Sequence, residues 1–151
     1  MKISIPTEPC VIAANLLRIS FGLSLLFVGL SHFTDLESFS LVVGDGLELF
    51  GWLTTIYAYL HPCLLIFGGA LFVVNRFPAL AAWAAGIPLC MIPAGMLFKT
   101  VFGLDLADMM AAAINAWIWL AIYMIVVFTC LGDKHHHQHA TLMPHLPGHQ
   151  G

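Results

Sequence analysis

The chain has 151 residues, of which 60% are hydrophobic and 9% charged, with a formal net charge of −3 and a mean hydropathy of +0.93. That balance excludes an ordinary soluble domain and describes a chain made to face lipid. Four membrane spans of about 20–25 residues each would use well over half of its length, which leaves no room for a separate soluble catalytic domain, and no nucleic-acid partner is expected.

The first apolar segment covers residues 10–33 and is interrupted only by Asn15, Arg18 and small polar residues. At 1.5 Å per residue it reaches about 36 Å, enough to cross a hydrocarbon layer of about 30 Å with some tilt. The preceding segment carries Glu8 and no small-residue cleavage site follows, so the run reads as a retained span and not as a signal peptide. Arg18 lies about 12 Å into it, close enough to an interface to snorkel or to meet an anionic headgroup, and it is also a candidate polar group for a bound cofactor.

Residues 38–51 alternate apolar side chains with Asp45, Glu48 and three glycines, which suits a loop or short helix on the bilayer surface. The second span covers 52–74 and contains His61 followed by Pro62. Asn75, Arg76 and Phe77 form a short connection, and Pro78 opens the third span, 78–98, because a proline is tolerated in the first turn of a helix. Pro88 and Pro93 free the carbonyls of Ala84 and Leu89, so kinks are expected in the second and third spans where backbone faces protein or water. The fourth span covers 106–131 and includes Asn115, Trp117 and Trp119.

The expected fold is therefore an all-α membrane protein, a four-transmembrane-helix bundle over residues 1–133. A His-rich tail over 134–151 is expected to be disordered or held by a partner. Lys2, Arg18, Arg76 and Lys134 fall on one side of this layout and only Lys99 on the other. The excess places both termini in the cytoplasm and the acidic loops outside, as in a multi-pass protein of the bacterial inner membrane.

An ionisable group inside a span needs a partner or a task. His61 lies about 13 Å below the outer interface, and the outer halves of the spans also hold His32, Met91, Met96 and Asn115. Two chemistries fit that group. Histidine and asparagine, with Trp117 as an aromatic wall, can hydrogen-bond a quinone ring, whereas His32, His61, Met91 and Met96 form the softer ligand set that suits copper. A third account needs no ligand: methionine fills gaps and each histidine bonds a neighbouring helix.

The tail adds His135, His136, His137, His139, His145 and His149, and imidazoles on a polar segment bind copper or other divalent metals readily. Cys10, Cys63, Cys90 and Cys130 stand in or beside apolar runs without a CxxC pair and read as small hydrophobes. No phosphate-binding, dinucleotide or nucleophile motif occurs in the context its chemistry requires. The paired glycines Gly68 and Gly69 and the run ALAAWAAG point to close helix packing.

The segment LLRISFGLSLLFVGLSHFTDLESF resembles the opening helix of the DoxX/DoxD-like membrane proteins, with Arg18 near the cytoplasmic end and Gly22 and Gly29 along the helix. Residues 64–92, with their paired glycines and basic turn, resemble the family's passage from second to third helix. The chain departs from the family pattern at His32, where a lysine is frequent, and at Leu65, where a glutamate is. The resemblance implies a four-helix subunit associated with redox complexes, as in thiosulfate:quinone oxidoreductase. Its expected partners are other membrane subunits and lipid, and its expected role is an accessory or anchor one. An autonomous quinone-reactive component and a copper-handling protein are the alternatives.

Overall fold

The computed structural model describes residues 9–141. Five α-helices follow one another: α1 (Pro9–Thr34), α2 (Leu36–Gly44), α3 (Gly51–Val74), α4 (Pro78–Lys99) and α5 (Leu106–Thr141), with single 3₁₀ turns at Glu48–Phe50 and Thr100–Phe102. Among the described residues there is no strand. Four helices, all but α2, are long and apolar enough to cross a membrane, and the chain is an all-α membrane bundle as its composition requires.

Local chemistry sets the helix ends. Asp35 caps α2 by accepting a 3.3 Å hydrogen bond from the Ser38 amide, and Asp105 does the same for α5 with a 2.7 Å bond from the Ala107 amide. Asn75 ends α3 in the left-handed region at φ 57°, a conformation asparagine tolerates better than most residues. Pro78 then stands in the first turn of α4. The chain remains helical through Pro62, Pro88 and Pro93.

The end of α5 differs from expectation. The apolar span ends at Thr129, close to the expected residue 131, but helical backbone continues to Thr141, across the boundary placed at residue 133. The reason is that propagating an established helix costs far less than starting one, and residues 132–141 contain no proline to end it.

Helix α1 packs chiefly on α3, α3 also on α4, and α4 on α5, while α5 returns to touch α1 and close the ring. Phe21, Leu25, Leu65, Phe72, Ala85 and Val126 lie in the core. Close approach depends on glycine: a Cβ on Gly69 would lie 2.5 Å from the Gly22 carbonyl oxygen of α1, and one on Gly68 would lie 2.8 Å from the Ala85 amide of α4. The adjacent glycines thus seat α3 against two different neighbours. Large apolar side chains cover the outside, Phe27 and Trp83 being 62% and 71% exposed. Such a surface is matched by lipid and not by water.

Two cations are buried in this apolar body. Arg18 is 7% exposed and donates to the carbonyls of Phe72 and Val73 at 2.5 and 3.5 Å and to Asn15 Oδ1 at 3.2 Å. Lys99 donates to the Val42 carbonyl. Phe72 and Val73 lie in the last turn of α3 and Val42 in the last turn of α2, where carbonyls lack intrahelical partners. Each cation therefore caps a neighbouring helix at the end its dipole makes negative.

Candidate functional site: a cavity between α2 and the bundle

Sequence spacing predicts how α2 sits. Phe39, Val42 and Val43 follow the i, i+3, i+4 pattern of one helical face, and α2 packs mainly against α3. No residue of α2 is fully buried, because that face does not close on the bundle but roofs a cavity of about 760 Å³. This volume lies within the range of about 300–1,000 Å³ typical of sites for small organic ligands.

The cavity is walled by the end of α1 (Ser31, His32), by α2 and the turn after it (Phe39, Val42, Leu47, Phe50), by the start of α3 (Leu53, Tyr57, His61) and by the end of α4 (Met91, Met96, Phe98, Lys99). Its polar groups are few. Ser31 and Thr54 bond carbonyls of their own helices at 2.8 and 3.0 Å, and Asp35 is engaged as the α2 cap.

Four rings gather at one end of it. His32 stacks on Phe39 with centroids 4.2 Å apart and planes inclined by 21°. His61 stands 6.0 Å from His32, 5.6 Å from Phe39 and 5.0 Å from Tyr57, centroid to centroid. His61 is 2% exposed, and its Nδ1 is buried without a hydrogen-bond partner. Leaving such an atom unpaired costs about 1–3 kcal/mol, so a small turn of the ring that brings Nδ1 to a ligand oxygen in the adjoining cavity is favoured.

The residues singled out from sequence divide accordingly. His32, His61, Met91 and Met96 line this one cavity. Asn115 and Trp117 do not join them: both are exposed on α5, none of whose described side chains lines the wall. Arg18 of α1 bonds the carbonyl of Phe72, eleven residues along α3 from His61 and about 16 Å away on the helix axis, so its guanidinium is engaged by the end of α3. Among the described residues no three His, Cys, Asp or Glu side chains gather to hold an ion, so a metal in the cavity would need the methionine sulfurs beside the two imidazoles. The side chains of His135, His136, His137 and His139, and all of His145 and His149, lie outside the described part of the structure.

Lys99, Tyr57 and the α2 face were not singled out from sequence. The signals for them were the spacing of Phe39, Val42 and Val43 and the presence of one basic residue among six acidic ones on that side of the layout. Comparison with known proteins returns no matching family model, no matching curated protein and no matching solved structure. The functional assignment therefore rests on the cavity.

Proposed function

We propose that this chain is a small integral-membrane subunit of a redox assembly, of the DoxX/DoxD-like kind, whose cavity beneath α2 receives the ring of a quinone. The observation that carries the proposal is His61, which lines a largely apolar cavity and whose Nδ1 is buried without a hydrogen-bond partner. As an N–H tautomer it offers a donor to a quinone carbonyl. Phe39 and Tyr57 supply aromatic faces, and Met91 and Met96 adapt to the ring's outline. By the excess of basic residues at the opposite end, the cavity faces outward and both termini face the cytoplasm of a bacterial cell. As a subunit of such an assembly, it depends on partner subunits to deliver or accept electrons.

Binding of a short-chain benzoquinone to the purified full chain in nanodiscs tests the site. His61→Leu roughly keeps volume and removes both ring nitrogens, and it should weaken binding about tenfold while thermal stability in the absence of ligand holds or rises. Unchanged affinity would remove the quinone reading. Mild detergent extraction from native membranes should recover the chain in a larger complex, and recovery as an isolated bundle would count against the subunit role.

Copper is a second reading, favoured by the placement of His32, His61, Met91 and Met96 on one cavity. Metal analysis of protein purified without an affinity column decides it, since near-stoichiometric copper is required.

A further inference from the structure

Lys99 is 5% exposed yet forms part of the cavity wall, and its hydrogen bond to Val42 engages one of the three donors of an ammonium group. The Val42 carbonyl offers a dipole and no charge. Of the carboxylates nearby, Asp45 is exposed beyond the end of α2 and Asp35 caps that helix, so Lys99 has attraction from a distance and no direct ion pair. A desolvated cation with free donors on an apolar wall attracts an anion far more strongly than one in water.

The packing also fixes where this charge lies relative to the imidazoles. Gly68 of α3 meets Ala85 of α4, and the two helices run in opposite directions. His61, seven residues before Gly68, is therefore level with Ile92, and Lys99 lies seven residues further along α4, about 10 Å nearer the end of the bundle. Around these poles the wall is mainly apolar or aromatic, with Phe39, Val43, Tyr57, Met96 and Phe98, and its carboxylate, Asp35, is engaged as the α2 cap.

We infer that Lys99 makes the cavity selective for lipophilic ligands that carry an acidic oxygen, a carboxylate or its equivalent, about 10 Å from the part of the molecule that meets His61. The inference rests on the cavity being the ligand site proposed above and specifies the chemical class that it admits.

Two probe pairs test it in nanodiscs, each affinity corrected for partition into empty discs: dodecanoate with its methyl ester, and a benzoquinone bearing a short alkyl carboxylate with its methyl ester. In the unaltered protein each acid should bind about tenfold more tightly than its ester. Lys99→Gln should bring both ratios close to one, and Lys99→Arg should restore them. Equal affinity of acid and ester in the unaltered protein overturns the inference without any variant, so it stays decidable if Lys99→Gln fails to fold. A preference that persists in Lys99→Gln overturns it too. If dodecanoate binds in a Lys99-dependent way and neither quinone binds, the quinone reading fails and the selectivity stands. If the quinones bind with no preference for the acid, the reverse holds.

Discussion

The guanidinium of Arg18 on α1 and the carbonyl of Phe72 on α3 are joined by a 2.5 Å hydrogen bond across the interface between the two helices. Arg18 thus turns inward to the end of α3. Arg18→Ala should destabilise the bundle by about 2–3 kcal/mol, the worth of charged hydrogen bonds at a buried site, as read by thermal unfolding in bicelles. The loss should be the same in zwitterionic and anionic lipid. A loss seen only in anionic lipid would assign the residue to a headgroup instead.

Gly69→Leu should destabilise by about 1–3 kcal/mol or more, because overpacking at a backbone contact forces helices apart. Its Cβ alone would sit 2.5 Å from the Gly22 carbonyl oxygen and 2.8 Å from the Leu26 amide. Disulfide trapping between cysteines introduced on facing positions of α1 and α3 would show the separation directly, and an undisturbed trapping rate would refute it.

Gly95 offers the opposite test. It lines the cavity, and a Cβ there would meet nothing within 4 Å. Gly95→Phe should fill ligand space without strain and raise helix propensity by a few tenths of a kcal/mol. Thermal stability should hold or rise while quinone affinity falls at least tenfold. Retained affinity would place the ligand elsewhere.

Asn115→Leu and Trp117→Phe on α5 should leave quinone affinity within about twofold of the unaltered chain, since neither residue lines the cavity. Isothermal titration of the two variants checks this. A clear loss in either would mean that a second site on α5 contributes.

The four long helices were legible because length and apolarity alone define a span, and Pro78 and the turn at Asn75 marked a boundary to within a residue. Depth was legible too, which is why His32, His61, Met91 and Met96 could be grouped. Rotation about the helix axis was not. In a soluble helix the polar face identifies the outside, but on α5 both faces are apolar, so nothing in the spacing of Asn115 and Trp117 showed that they turn away from the site. Lys99 escaped notice for a related reason: a charge at the end of a span reads as interfacial, and its burial depends on α2 folding back over it. The end of the fourth span was legible to within two residues, while its helical backbone runs on to Thr141 because the sequence holds no proline there before Pro144.

The paired glycines have a bearing on biogenesis. Gly69 accepts α1, which the ribosome has already released, while Gly68 waits for α4, which has not yet been made. The second long helix can therefore join its upstream neighbour as soon as both are in the bilayer and still present an open seat to the next. Such packing is compatible with assembly in the order of synthesis, in which the lightest contact in the ring, between α5 and α1, would close last.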